Sequence, residues 1–342
     1  MMIFRTRLLV GPLIALTILA GSSVTATPVI SEFLADNETG FKDVDGDYSD
    51  WIEIFNPDPV AADLGNYFLT DDAADLNKWR IPAGTTLEPF GYLVVIASGK
   101  NRTVAGAQLH TNFKLDAAGE YLALVAPDGV TVVSGFAPMY PAQFDDSSYG
   151  LEQTATTIDE NLFDVDAPCT AHVPINAALG TTWKQVGFDD STWISGTLGV
   201  GYERGTGYEG LINLDVEQAM FNQNGSVYIR IPFTVTNPGE ILDLDLEIQF
   251  DDAFSASLNG TAVAWLDTVT YPSWNANANL ESPDENALEF RSYSLKSKIA
   301  LLKAPELVFA IQGLNISPSD EDFLIRPRLV AARITEVTMG AP

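Results

Sequence analysis

Hydrophobic residues recur along the chain in short runs, and Gly, Pro, Asn and Asp separate the runs. The run Leu242–Phe250 alternates strictly between apolar and polar residues, which is typical of a strand with one buried face. Long helical periodicity is absent, and only Asp215–Phe221 and Leu295–Leu302 indicate short helices. A doubly wound α/β sheet needs helices between its strands, so the pattern predicts an all-β chain of sandwiches. The other strand-like runs are Trp51–Phe55, Tyr92–Ala97, Tyr121–Ala126, Val130–Val133, Val227–Val235 and Leu307–Ile311.

A polar, turn-rich stretch divides the hydrophobic runs into two groups. The stretch from Thr154 to Gly180 shows no periodicity, which favours a connection between domains. We therefore predict an N-terminal β-sandwich at 27–150, a linker at 151–174, a C-terminal β-sandwich at 175–336 and a tail at 337–342.

The N-terminus has the pattern of a secretory signal peptide over residues 1–26. Arg5 and Arg7 precede the apolar run Leu8–Gly21, and Ala26 supplies a small residue for cleavage. The alternative is an uncleaved membrane anchor, but the run is shorter than the roughly 20 apolar residues that a spanning helix needs. We expect a secreted or cell-surface protein, cleaved near Ala26, with no membrane span in the mature chain.

Composition narrows the classes of partner. The chain has 342 residues with 18 Lys and Arg against 46 Asp and Glu, a formal net charge of −28. Nucleic-acid backbones need clustered cations, so nucleic acid is not an expected partner. The lone Cys169 excludes an intramolecular disulfide framework and a cysteine-based zinc site. The acidity also suits salt-rich surroundings, where net charge keeps a protein soluble.

The first predicted domain resembles a lamin tail domain of the bacterial exported kind. The resemblance rests on segments that appear in order, which are VISEFLADN (29–37), DVDGDYSDWIEIFNP (43–57), NYFLTDD (66–72), WRIP (79–82), GYLVVIASGK (91–100), LHTNFKL (109–115) and GEYLALVAPDG (119–129). It implies an immunoglobulin-like β-sandwich with a role in adhesion or positioning and without known catalytic residues.

The second predicted domain, from about Trp183, is similar to a galactose-binding-like jelly roll. The similar segments are FDDSTW (188–193), GTLGVGYE (196–203), INLDVEQAMFNQNGSVYIRIPFTV (212–235), FDDAFSASLNGTAVA (250–264) and FAIQGLNISPSDEDFLIRPRL (309–329). Many proteins of this kind bind carbohydrate and others only stabilise a neighbouring domain, so the resemblance permits sugar binding without demonstrating it.

Four closely spaced carboxylates make the sharpest cluster in the sequence. Asp43, Asp45, Asp47 and Asp50 alternate around Gly46, which permits an unusual backbone angle. Calcium prefers several oxygen ligands at close range, and carboxylates this close repel one another without a cation. The cluster departs from the EF-hand pattern in its glycine position and lacks the final Glu. The cluster is a candidate calcium loop, and the alternative is a solvated acidic turn.

Aromatic residues in the segment WLDTVTYPSWNANAN could stack on a sugar ring. Trp265, Tyr271 and Trp274 supply ring faces there, and Asn275 supplies an amide for hydroxyl groups. The alternative is ordinary packing under a long loop. Tyr202 and Tyr208 are further aromatic candidates.

Signatures of enzymes are missing or out of context. The sequence has no G-x-S-x-G, H-E-x-x-H or phosphate-binding loop. A G-x-G-x-x-G match at 205–210 lies in a glycine-rich loop of a β domain and not in the βαβ unit that nucleotide binding requires. Asp251 and Asp252 begin a turn, and Asn259-Gly260 is a hairpin signal. These two acids therefore favour a structural interpretation over a catalytic pair.

Taken together, the sequence predicts an exported, non-catalytic adhesion or positioning module. Its expected partners are a polysaccharide or a cell-surface protein, and calcium is its expected cofactor. Two alternatives stay open. One is the N-terminal fragment of a larger secreted polysaccharide-degrading enzyme, and the other is a structural spacer in a surface assembly.

Overall fold

The structure is a computed structural model, and it describes residues 26–342. The predicted signal peptide, apart from Ala26, lies outside the described residues, so cleavage and location stay predictions. Between residues 26 and 342, no helix has the length and apolar character needed to cross a membrane.

The described residues are mostly strand, which confirms the all-β prediction. The helices are α1 (Glu217–Met220) and α2 (Asp284–Ala287), with 3₁₀ segments at Thr182–Lys184, Glu209–Leu211, Pro238–Glu240 and Lys296–Lys303. The strands are β1 (Val29–Leu34), β2 (Asp50–Phe55), β3 (Ala62–Asp63), β4 (Phe68–Thr70), β5 (Trp79–Arg80), β6 (Thr86–Leu87), β7 (Tyr92–Ala97), β8 (Leu122–Val125), β9 (Val132–Phe136), β10 (Tyr149–Gly150), β11 (Gln153–Phe163), β12 (Pro168–His172), β13 (Ile194–Thr197), β14 (Val200–Glu203), β15 (Leu214–Asp215), β16 (Ser226–Phe233), β17 (Ile241–Asp251), β18 (Ala253–Leu258), β19 (Thr261–Leu266), β20 (Arg291–Ser294), β21 (Leu307–Leu314) and β22 (Asp322–Met339).

The first sandwich packs the sheet β10-β1-β2-β7 against the sheet β5-β4-β8-β9. Ile52 and Ile54 alternate along β2 and are fully buried, as the apolar spacing of that strand requires. Trp79 is also part of this core, so it serves packing.

The second sandwich contains the sheet β15-β14-β22-β17-β20 and the sheet β13-β12-β16-β21-β18-β19. The alternating run in β17 buries Leu244, Leu246 and Ile248 between the two sheets. The hairpin predicted at Asn259-Gly260 joins β18 to β19, and both turn residues have positive φ, 50° and 81°. Asn and Gly tolerate that region, which explains the sharp turn.

The segment predicted as a linker, 151–174, contains strands β11 and β12. Strand β22 also continues to Met339, into the segment predicted as a tail. Residues 153–161 are exposed on both faces of their strand, so they lack the apolar alternation that marks most strands. Three threonines favour extended backbone there, and pairing with β22 supplies the hydrogen bonds.

The two sandwiches touch through a small apolar cluster. Phe55 and Phe90 from the first sandwich pack with Ile334 from β22, and all three side chains are buried. The hydroxyl of Tyr92 donates a hydrogen bond of 2.9 Å to Oε1 of Gln153 beside this cluster. The paired strands β11 and β22 therefore connect the second sandwich to the first through side-chain packing as well as through the chain.

Candidate functional site

The outer face of the sheet that contains β18 is polar and aromatic. Ser255 points outward between core residues, and its Oγ donates a hydrogen bond of 2.7 Å to the carbonyl of Thr270. The segment 181–193 covers part of this face. Trp183 from that segment stacks on Tyr228 of β16 with ring centroids 4.1 Å apart and an interplanar angle of 9°.

Two of the predicted sugar-stacking residues lie together on this face. Trp265 is directly opposite Ser255 in the β18–β19 pair, and Tyr271 follows Thr270, whose carbonyl Ser255 holds. Trp265 is 46% exposed and Tyr271 is 52% exposed. We call Trp265 and Tyr271 the aromatic patch.

The other predicted ligand residues lie apart from the patch or are buried. Trp274 is half-buried against the Trp183 cluster, and its carbonyl accepts a hydrogen bond of 3.2 Å from Asn224, so its position fits packing. Asn275 is exposed in the same loop. Tyr202 and Tyr208 are 1% and 2% exposed, so the idea that they stack on a sugar is wrong.

Lys184 is a residue of this face that the sequence did not single out. Its side chain is buried, and its ammonium group lies 4.9 Å from the ring centroid of Tyr271 and 5.2 Å from that of Trp183. Burial lowers the pKa of this lysine to about 8. The aromatic faces favour the cation, but they replace only part of its hydration.

The acidic loop brings three of its four predicted calcium ligands together. Carboxylate oxygens of Asp43, Asp45 and Asp47 lie within 4.8 Å of one another. The ammonium of Lys100, which follows β7, lies 2.6, 2.6 and 2.8 Å from these three carboxylates. Arg102 adds an ion pair of 2.7 Å to Asp45. The side chains of Lys100 and Arg102 thus supply the positive charge that we expected from calcium.

The electrostatics of the loop follow from this arrangement. Burial alone would raise the pKa of Asp43. The hydrogen bond from Lys100 and the backbone N–H groups of Asp47 and Asp45 outweigh that effect and lower the pKa to about 2. The three carboxylates, Asp43 first, hold the pKa of Lys100 well above its ordinary value. The loop therefore sets three carboxylates against the two cations of Lys100 and Arg102.

Asp50 does not join this group. It begins β2, and its carboxylate accepts hydrogen bonds from the backbone N–H groups of Asn37 and Leu115. Burial raises its pKa above the ordinary value. The predicted set of four ligands is therefore reduced to three.

A second acidic group lies in the second sandwich, where sequence analysis predicted only a turn. Carboxylate oxygens of Asp251, Asp284 and Asp322 lie within 4.8 Å of one another, close enough to share a metal ion. The hydroxyl of Tyr208 donates a hydrogen bond of 3.0 Å to Asp251. Burial and neighbouring acids, Asp252 first, raise the pKa of Asp251 well above its ordinary value. Burial and Asp320 raise the pKa of Asp322 to about 7.

His110 is a packing residue of the first sandwich. It is fully buried, and its Nδ1 lies 2.8 Å from Oγ of Ser98 while its Nε2 lies 3.2 Å from Oε1 of Gln108. Burial and the charge of Arg102 lower its pKa.

The Lamin Tail Domain family model matches residues 21–136. The match covers the segments on which the resemblance of the first domain rests, and it agrees with an immunoglobulin-like first sandwich. No curated protein matches the chain.

Solved structures resemble the chain only loosely. A β-glucuronidase from Bacteroides uniformis has a TM-score of 0.32 at 14% identity, over 53% of this chain and 18% of that one. A β-glucuronidase from an uncultured Clostridium has a TM-score of 0.31 at 10% identity, over 54% and 29%. A β-glycosidase from Bacteroides vulgatus has a TM-score of 0.27 at 13% identity, over 53% and 20%. The chain thus spans less than a third of each enzyme, and nothing about its function follows from likeness at this level.

Proposed function

We propose that the chain is an exported glycan-binding and positioning module without catalytic activity. The observation that carries this proposal is the aromatic patch, in which Trp265 and Tyr271 are 46% and 52% exposed on the face of the second sandwich that carries Ser255. Contiguous apolar surface rimmed by polar residues marks interaction sites, so two exposed rings on one face of the sandwich form a candidate site.

A sugar ring is the partner that suits the patch. The apolar face of a pyranose packs on an aromatic ring, while its hydroxyls need nearby hydrogen-bonding groups. Asn275 lies exposed in the loop that carries Tyr271, with its Oδ1 3.4 Å from Oγ of Ser273. Its NH₂ group donates no hydrogen bond within the described residues, so it can bind a hydroxyl of a glycan chain that extends along this loop beyond the patch.

The contact between the sandwiches supports the positioning part of the proposal. Phe55, Phe90 and Ile334 are buried together, so the second sandwich is packed against the first and not merely tethered to it. A module held this way presents the aromatic patch at a fixed place relative to residues 21–136, the part that matches the Lamin Tail Domain. Export and a cell-surface location rest on the N-terminal sequence pattern alone.

The proposal includes calcium as an ion that competes with Lys100 for the acidic loop. The ion would use the carboxylates of Asp43, Asp45 and Asp47, and it would have to displace the ammonium that lies 2.6 Å from Asp43. A divalent ion offers more charge to the three carboxylates, but a tethered lysine loses less entropy on binding.

The test is a glycan-binding series on the full chain. Wild type, Trp265→Ala and Tyr271→Ala are compared by isothermal calorimetry on soluble polysaccharides after a glycan array has chosen the probes. Phe41→Ala is the matched control, because Phe41 is 55% exposed, lies on the first sandwich and makes none of the contacts described between the sandwiches. Loss of one stacking ring should weaken binding by about tenfold, equivalent to roughly 1.4 kcal/mol.

Three outcomes separate the candidates. Saturable binding that Trp265→Ala and Tyr271→Ala weaken, and that Phe41→Ala leaves unchanged, supports the proposal. Wild-type protein that binds no glycan contradicts it and leaves the structural spacer. Turnover of a polysaccharide by the purified chain contradicts the non-catalytic part and favours the enzyme fragment.

A further inference from the structure

Lys184 is a buried cation without a counter-ion. The residue is 2% exposed, and burial is the only influence that shifts the pKa of its ammonium group, with no carboxylate or hydrogen-bond acceptor acting on it within residues 26–342. In a chain with 46 acidic residues, an unpaired buried lysine is unexpected, because carboxylates are plentiful and a lone buried charge destabilises the fold.

Two polar atoms on the face that the Lys184 segment covers also lack partners. Nε1 of Trp183 and Oγ of Ser257 are enclosed and make no hydrogen bond within the described residues. Ser257 pairs in register with Ala310, which belongs to the Trp183 cluster, so both unpaired atoms lie on the face that the Lys184 segment covers. Buried polar groups are satisfied in the large majority of cases, so each exception requires an explanation, and a bound water, ion or ligand is one.

The ammonium group is nevertheless within reach of the surface. Its nitrogen is not fully enclosed, whereas Nε1 of Trp183 beside it is. It lies 4.9 Å from the ring centroid of Tyr271, the exposed member of the aromatic patch. The ammonium lies over one face of this ring, so a sugar packed against Tyr271 would bring a charged substituent to it around the ring edge. Within residues 26–342 the ammonium has no ion-pair or hydrogen-bond partner that would compete.

We propose that Lys184 selects acidic glycans, by pairing with an anionic substituent of a sugar ring that stacks on Tyr271. The anionic substituent is a carboxylate or a sulfate, and both offer the charged oxygen that the ammonium lacks. This inference rests on the proposed function, since the same patch binds the ring. Charge-assisted hydrogen bonds in a partly buried place are stronger than neutral ones, and the bound anion removes the cost of burying Lys184 alone.

The overall charge of the chain makes the salt dependence informative. A net charge of −28 repels a polyanionic glycan at long range, and salt screens that repulsion beyond roughly 8–10 Å. The contact at Lys184 is short and partly buried, so salt weakens it less. Affinity for an acidic glycan should therefore hold or rise as salt increases, whereas binding through exposed lysines would fall.

The experiment compares charged and uncharged versions of the same polymers. The full chain is titrated with polygalacturonate and its methyl-esterified form, and with dextran sulfate and plain dextran, in the presence of a chelator that prevents bridging by divalent ions. Lys184→Met keeps an unbranched side chain and removes the charge. Lys303→Met makes the same charge change at an exposed lysine of the same sandwich. Melting curves of each variant report folding.

We expect wild type to bind one charged polymer more tightly than its uncharged form. Lys184→Met should lose at least about tenfold in affinity for that charged polymer, and Lys303→Met should not. The polymer pair that shows the difference identifies the anion as carboxylate or sulfate. Lys184→Met should melt at the same temperature as wild type or higher, because an unpaired buried charge is gone. A merely structural lysine would instead lower stability and leave the polymer preference intact.

Two results would overturn the inference. Equal binding of charged and uncharged polymers, unchanged in Lys184→Met, rejects selection by charge while the proposed glycan-binding function stands. Absence of binding to all four polymers and to the array rejects both proposals together.

Discussion

The ammonium nitrogen of Lys100 lies 2.6 Å from the carboxylate of Asp43, although 57 residues separate them in the sequence. The side chain of Asp43 is fully buried, and two backbone N–H groups donate to the same carboxylate. The acidic loop is therefore held closed by a lysine from a neighbouring loop, whatever else binds there.

Lys100→Met should destabilise the first sandwich and create a dependence on calcium. The change leaves the buried carboxylate of Asp43 without a cation beside Asp47, while Asp45 keeps its ion pair with Arg102, and this costs about 1–3 kcal/mol. Calcium should then restore the melting temperature, because it no longer competes with an ammonium group. Lys42→Met is the control, since Lys42 lies over Tyr48 and outside the ion-pair group. Calcium that stabilises wild type and Lys100→Met equally would place the ion elsewhere.

Asp322→Asn should raise the stability of the second sandwich at neutral and higher pH. The folded pKa of Asp322 is about 7, above its ordinary 3.8, so the protonated form favours the fold. That contribution is complete below pH 3.8 and is lost as the pH rises through about 7. The variant should melt higher at pH 8 by roughly 2–4 °C for each kcal/mol gained. Asp159→Asn, an exposed acid on β11, should change little. Equal pH profiles for wild type and Asp322→Asn would show that the carboxylate has found a partner.

His110 should make the first sandwich sensitive to acid. Its folded pKa is below the ordinary value of 6.5, so the neutral ring favours the fold. This contribution is present above pH 6.5 and is lost as the pH falls below it. Differential scanning calorimetry of His110→Gln should show a flatter profile between about pH 7 and 5 for this sandwich. The raised pKa of Asp322 gives the second sandwich the opposite pH dependence. As the pH falls from about 7 to 5, the first sandwich should therefore melt at a lower temperature and the second at a higher one. A single transition with one slope would contradict this.

Ile334→Ala should loosen the contact between the sandwiches. Ile334 is 8% exposed and packs on Phe55 and Phe90, so its truncation leaves a gap that costs about 2 kcal/mol or more. Small-angle scattering should report a larger radius of gyration, because the sandwiches then sample more arrangements. Ile158→Ala removes the same side chain from an exposed site on β11, where it is 55% exposed, and should leave both measurements unchanged. An unaltered radius in Ile334→Ala would mean that strand pairing alone fixes the arrangement.

The strands that the sequence predicted are those whose apolar residues mark a buried face. Leu244 and Leu246 alternate with acids, and one buried face is sufficient to identify that strand. Strand β11 has no buried face over residues 153–161, so no hydrophobic pattern could reveal it. Its existence depends on a partner strand about 180 residues away, as in the contact of Thr335 with Thr156 at a separation of 179.

The candidate sites also differ in how far the sequence could predict them. Asp43, Asp45 and Asp47 are close in the sequence, so their meeting was predictable, whereas their neutralisation by Lys100 required the fold. The group Asp251, Asp284 and Asp322 is assembled from three separate segments, and no local motif marks it. Lys184 looks like any polar residue in a turn until the structure places it under Tyr271.

Strand β22 imposes an order on how the second sandwich forms during synthesis. It lies in the middle of its sheet, between β14 and β17, and it also pairs with β11, yet all three precede it in the chain. Until residues 322–339 have left the ribosome, β14, β17 and β11 lack the neighbour that joins them. The first sandwich needs nothing beyond residue 150 for its sheets and can close early. During synthesis, the first sandwich can therefore fold while the second is still incomplete. The second sandwich cannot assemble its central sheet until β22 has emerged.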